Sequence, residues 1–204
     1  TNSGNIFMAD FNLDGLDDVV YSEPESSTQT FTNNGRVSVH YSSHTGISSV
    51  ANLTWEGVSD NEMLGNGLSV GDYNGDGIID IAIGSPGANN NDGLVQFAFG
   101  SHDGISQTLL QTAGISAPVA SGDKYGYCLE TVEDLNVDGY DEILICSIDY
   151  DQSSDTGKVE LFFGNDLGET WVKMNSPNQM LEGSNFGQSI SADGDLNGDG
   201  LSDL

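Results

Sequence analysis

The chain has 204 residues, rich in glycine (27) and poor in proline (4), with 32 acidic against 4 basic side chains and a formal net charge of -28. Such a balance disfavours nucleic acid and anionic membrane surfaces as partners, because only Arg36, Lys124, Lys158 and Lys173 could neutralise phosphate. No apolar run approaches the ~20 residues of a membrane-spanning helix.

Read from the N-terminus, the first marked element is an acidic loop, DFNLDGLDD, over 10–18. The apolar run VVYS from Val19 follows and predicts a strand. A polar stretch then leads to GRVSVHY from Gly35, a second strand, then to the turn SSHTGIS and the weaker strand VANLTW. The same order returns. Leu64-Gly65 opens a unit that continues through a strand of about seven residues, the loop DYNGDGIID (72–80), the strand IAIG, a loop containing GSPGA, the strand GLVQFAF from Gly93, the turn GSHDGIS and the weaker strand QTLLQT. Tyr125-Gly126 opens another, with DLNVDGYDE (134–142), ILIC, GKVELFF from Gly157, GNDLGET and TWVKMN. Phe186-Gly187 opens a last one, which reaches DLNGDGLSD (195–203) before the chain ends. The acidic loops start 62, 62 and 61 residues apart. A fixed period of this length identifies an array of one supersecondary unit. Short apolar runs between Gly, Asn, Asp and Ser clusters make the unit all-β. Four strands per unit is the pattern of a β-propeller blade. Residues 1–204 are therefore expected to form about three blades plus partial ends of one propeller. Thr1 precedes one acidic loop and Leu204 follows another, so the chain is expected to be part of a longer ring.

Each acidic loop places Asp at position 1, Asn at 3, Asp at 5, Gly at 6 and Asp or Glu at 9. Alternate side chains on a tight loop can supply the six to eight oxygens that a hard cation needs. The candidate ligands are Asp10, Asn12, Asp14 and Asp18; Asp72, Asn74, Asp76 and Asp80; Asp134, Asn136, Asp138 and Glu142; Asp195, Asn197, Asp199 and Asp203. The backbone carbonyls of Leu16, Ile78, Tyr140 and Leu201 at position 7 complete the sets. Up to four Ca²⁺ are expected, of the moderate affinity that suits extracellular calcium. Eight positive charges offset part of the acidic excess and not all of it. An EF-hand is rejected, because it needs a Glu at position 12 and flanking helices, whereas position 12 is Tyr21, Ile83 and Ile145. A metal-free reading, as Asp/Asn/Gly turns, would compete for one such loop and loses force against four in register.

The FG-like dipeptides, the GSPGA segment and the DxNxDGxxD loops together resemble the FG-GAP repeats of integrin α-subunit propellers. They are also similar to the propeller region of glycosylphosphatidylinositol-specific phospholipase D. The chain departs from that pattern in three places. The GAP half is clear only in the second unit, the first unit lacks its FG half, and position 9 of the third loop is Glu142. The resemblance implies a calcium-stabilised module at the cell surface or outside the cell. It implies adhesion or recognition of a protein or glycan ligand, with no catalytic role in this region. The alternatives are the non-catalytic propeller of a secreted hydrolase and a carbohydrate-binding lectin. Strand parity puts the acidic loops on one face. Residues 23–36, 85–93 and 147–157 fall on the other, with the links 56–63, 113–124 and 182–185. The resemblance implies ligand recognition on that second face, where Phe31, Tyr150 and Asp151 lie.

Cys128 and Cys146 flank the third acidic loop on the strands entering and leaving it. A cross-strand disulfide and a pair of buried thiols both fit that placement. Asn52-Leu53-Thr54 is a lone glycosylation sequon. His40, His44 and His102 lack zinc-site spacing, and no nucleophile motif is present.

Overall fold

The computed structural model describes residues 4–111, 122–148, 157–164, 171–172 and 186–192. The regular structure in this part of the chain is almost wholly antiparallel β. The first sheet has the order β1 (Ile6–Ala9), β2 (Asp18–Ser22), β3 (Arg36–His40), β6 (Leu53–Glu56), and a small ribbon of β4 (Ser42–Ser43) and β5 (Gly46–Ile47) follows β3. The second contains β7 (Gly67–Gly71), β8 (Asp80–Ser85) and β9 (Leu94–Ala98). The third contains β10 (Tyr125–Val132), β11 (Glu142–Ser147), β12 (Lys158–Phe162) and β13 (Trp171–Val172). The pairing register repeats as well: Ile6 faces Tyr21, Leu68 faces Ile83, and Leu129 faces Ile145.

One predicted strand is largely missing. QTLLQT was expected to close the second sheet, yet among the described residues only Leu110 meets β9, through a reciprocal pair of 2.8 Å hydrogen bonds with Phe97. Leu110 is exposed and Leu109 packs into the core shared with the first sheet. The segment therefore has no apolar face to lay along its own sheet.

The sheets stack face to face. Val20, Val37, Val39 and Trp55 of the first meet Leu64, Leu68, Ile81 and Ile83 of the second. Ala82, Val95 and Phe97 on the other side of the second meet Tyr125, Leu129, Ile143 and Ile145 of the third. Leu144, Cys146, Val159 and Leu161 then meet Ala192, with Phe186 and Ile190 beside it. Both faces of β8 and β11 are thus covered, and every residue in them is buried. Strands buried on both faces read as unbroken apolar runs, which accounts for IAIG and ILIC.

Each unit is hooked to the next at one joint. Gly35 bridges Leu64, Gly93 bridges Tyr125, and Gly157 bridges Phe186. These glycines have φ of 83°, 88° and 68°. A Cβ on any of them would lie inside the backbone of the partner residue. The glycine that opens each unit does the complementary work. Gly65, Gly126 and Gly187 also have positive φ and approach Val37, Val95 and Val159 of the preceding sheet. The FG and GR/GL/GK signatures are therefore two sides of one inter-sheet contact.

The two cysteines form a disulfide with a Cα–Cα distance of 5.2 Å. Register slips between Tyr125 and Leu129 on β10, so the strand bulges where Cys128 sits and brings it to Cys146 on β11. The bond closes a loop of 18 residues around the third acidic turn. Loop-closure entropy for this length is worth about 3 kcal/mol. The Cys128→Ser/Cys146→Ser variant is expected to lose about that much in urea unfolding. An unchanged midpoint would show that the bond does not constrain the unfolded chain.

Candidate functional site

Three of the acidic loops are described, and they are wired alike. The position 1 carboxylate accepts two backbone N–H groups from within its own loop. Asp10 takes those of Asp14 (3.1 Å) and Gly15 (2.8 Å). Asp72 takes those of Asp76 (3.1 Å) and Gly77 (2.7 Å). Asp134 takes those of Asp138 (2.8 Å) and Gly139 (2.9 Å). Asn12 and Asn74 each accept the amide of position 5 at 2.9 Å. The position 5 carboxylate accepts the amide of position 7: Leu16 to Asp14 and Ile78 to Asp76 at 2.9 Å, Tyr140 to Asp138 at 3.1 Å. These Asx-type bonds hold the loop closed and gather its oxygens on the inside. The flanking elements are strands in all three copies, as the rejection of an EF-hand required.

The position 9 carboxylate forms the floor. Asp18, Asp80 and Glu142 are fully buried, while Asp14, Asp76 and Asp138 at the rim are exposed. Asp18 accepts the amides of Phe11 (3.2 Å) and Ser42 (2.7 Å). Asp80 accepts those of Tyr73 (3.1 Å) and Gly100 (2.7 Å). Ser42 and Gly100 begin the turns after the third strand of each unit. Those turns therefore lie beside the acidic loops, and the floor carboxylate is what joins them. Glu142 is different. Its Oε2 accepts the amide of Leu135, and its Oε1 is buried with no hydrogen-bond partner among the described residues.

Burial dominates the electrostatics. It pushes the Asp80 carboxyl up to about 7, and the nearby Asp76 and Asp72 charges push the same way. Glu142 is raised to about 7, again chiefly by burial, with help from Asp138 and Asp134. Asp18 is raised by the same combination. A buried carboxylate among like charges resists ionisation unless a cation or more donors reach it.

The residues present fit a hard divalent cation. The donors are all oxygen, each described loop carries three carboxylates, and the third holds a buried oxygen that has no hydrogen-bond partner among the described residues. Carboxylate oxygens of Asp134, Asp138 and Glu142 lie within 4.8 Å of one another. The triads of the first two loops are not drawn as close among the described residues. Asp10, Asn12, Asp14 and Asp18 would hold the first ion, Asp72, Asn74, Asp76 and Asp80 the second, and Asp134, Asn136, Asp138 and Glu142 the third. Bound, such an ion would neutralise the floor carboxylate and tie the two strands that flank the loop. Asp195, Asn197, Asp199, Leu201 and Asp203 lie outside the described residues.

The opposite face is shaped by a feature that the sequence did not disclose. The loop after β8 carries a short turn, α1 (Ala88–Asn91), in which Asn89, Asn90 and Asn91 all have left-handed φ of 52°, 62° and 71°. Asparagine tolerates that region better than other residues with a Cβ. The Gly87 amide donates to the Glu62 carbonyl (3.1 Å), and the Lys124 amide to the Asn91 carbonyl (2.9 Å), so the loop is tied to both neighbouring links. Glu62 in turn fixes its own link by accepting the amides of Val58 and Ser59. Between link and loop is a cleft of about 530 Å³ lined by Asp60, Asn61, Asn89, Asn90 and Asn91, among others. Runs of asparagine were the signal that could have found it. Phe31 is half-buried in the loop before β3. Tyr150 and Asp151 lie outside the described residues.

Residues 64–97 match the family model described as the FG-GAP repeat. Over 155 residues, 70% of this chain, the sequence is 26% identical to Integrin alpha-PS5 of Drosophila melanogaster. The matched region spans 14% of that relative's length. The matched FG-GAP segment runs from the Leu64 joint through the second acidic loop to β9. Residues 64–97 are thus similar to an FG-GAP repeat and the chain is distantly similar to an integrin α subunit, and the joints and loops on either side repeat the pattern of the matched segment.

Proposed function

We propose that these repeats belong to a calcium-stabilised β-propeller. Its work is recognition or adhesion, at the cell surface or outside the cell. Residues 1–204 supply part of that ring. The observation that carries the calcium reading is the common wiring of the three described loops around a buried floor carboxylate. In this reading Ca²⁺ is structural. Three carboxylates against one divalent ion leave about one negative charge per site, which suits the weaker affinities of extracellular modules. Catalysis is not part of the role. The module contacts an extracellular protein or glycan through the face opposite the ions, where the Asp60–Asn61 and Asn89–Asn91 cleft offers hydrogen-bonding groups on rigid backbone.

The test is a panel of immobilised extracellular-matrix proteins and a glycan array, probed in calcium and in chelator. Binding is expected in calcium only. Asn90→Arg, in the cleft, is expected to abolish it, and Val137→Arg, on the acidic-loop face, to leave it unchanged. The opposite pattern would move recognition to the acidic-loop face and overturn this assignment.

A further inference from the structure

We propose that Asp141 couples the second and third acidic loops, so that an ion bound in one strengthens binding in the other; this rests on the calcium reading above. Asp141 occupies position 8 of the third loop, next to the floor residue Glu142, and is not one of the ligands. Its carboxylate reaches across the sheet boundary. Oδ2 accepts the backbone amide of Asp72, the first ligand residue of the second loop, at 2.8 Å. Oδ1 accepts the amide of Asp134, the first ligand residue of the third loop, at 3.3 Å. The Asp141 amide donates to the Asp72 carbonyl at 2.9 Å. One side chain thus holds the leading ligand residue of both sites.

A second contact joins the same pair. Tyr140 lies against Gly75, where an added Cβ would come within 2.6 Å of its ring. Tyr140 supplies position 7 of the third loop and Gly75 is position 4 of the second. An ion that fixes Asp72 therefore also fixes Asp141 and Asp134, and the ordering cost is shared between the sites. The first and second loops lack this device. The residue equivalent to Asp141 in the second loop is Ile79, which has no acceptor to offer Asp10. Among the described loops, coupling is confined to one neighbouring pair.

Asp141 acts as a positioning residue, and the test must read coupling rather than stability. The amides of Gly77 and Gly139 each donate to the leading carboxylate of their own loop. Their NMR shifts therefore report Ca²⁺ occupancy of each site separately in the full chain. Asp76→Asn removes a ligand charge from the second loop alone. It is expected to raise the calcium midpoint read at Gly139 by about fivefold or more. In an Asp141→Asn background, the same Asp76→Asn change is expected to shift that midpoint by less than about twofold. Asp141→Ala repeats the experiment without the amide that asparagine introduces. An equal shift with and without Asp141 would overturn the coupling while leaving calcium binding intact. If neither glycine responds to calcium, the calcium reading fails and the coupling fails with it.

Discussion

Gly93→Ala is expected to lower stability by about 4 kcal/mol, far more than a methyl group on a loop usually costs. Two terms add. Gly93 has φ of 88°, and a left-handed residue with a Cβ costs about 1–2 kcal/mol. The new Cβ would lie 2.2 Å from the Tyr125 carbonyl oxygen and 2.4 Å from its nitrogen. Backbone cannot rotate away as a side chain can, so relief requires the two sheets to separate at the joint. Overpacking of this kind adds about 1–3 kcal/mol. Separation would also disturb the parallel bridge and the cluster around Tyr125, Val95 and Phe97. Gly77→Ala is the informative control. It shares a positive φ but has open space where the Cβ would go, so only the conformational term of about 1–2 kcal/mol applies. Urea unfolding of both variants measures the difference. Equal losses would mean that the joint is not closely packed.

Some of this architecture was legible in the sequence because each position in the repeat has one duty. Asp, Asn, Asp, Gly and a floor acid at fixed offsets describe a loop, and the structure folds three of them in the same way. The apolar runs IAIG and ILIC read correctly as strands, and they are unbroken because both faces are covered. Other parts depend on contacts that periodicity does not encode. Asp141 finds its partner Asp72 at a distance of 69 residues in sequence, and its counterparts Asp17 and Ile79 share no chemistry with one another. The disulfide stayed open because a two-residue slip in β10 decides whether Cys128 meets Cys146, and no residue announces the slip. The missing strand near Leu110 failed for a simpler reason. Its apolar pair is divided between a neighbouring core and solvent, so the local pattern overstated what the segment could bury. The cleft on the opposite face needed three consecutive left-handed asparagines, which local propensity does not favour.

The second large effect is that of removing calcium. At a free concentration 100 times the dissociation constant, each occupied site adds about 2.7 kcal/mol to the folded state. For a chain of this size, each kcal/mol moves the melting temperature by about 2–4 °C. A single site therefore raises it by about 5–10 °C, and the three described loops together by more. The physical source is the buried floor. Without an ion, Asp18, Asp80 and Glu142 are buried close to other carboxylates, and Glu142 Oε1 has no hydrogen-bond partner among the described residues. With one, that charge would be compensated and the strands on each side of the loop would be tied together. Magnesium is a poor substitute, because it holds its water and demands octahedral geometry. The decisive measurement is a thermal unfolding scan of the full chain in excess Ca²⁺, in excess Mg²⁺ and in chelator. A fall of at least about 5 °C on removing Ca²⁺, not restored by Mg²⁺, is the predicted result; the same melting temperature in all three would contradict a structural role for the acidic loops.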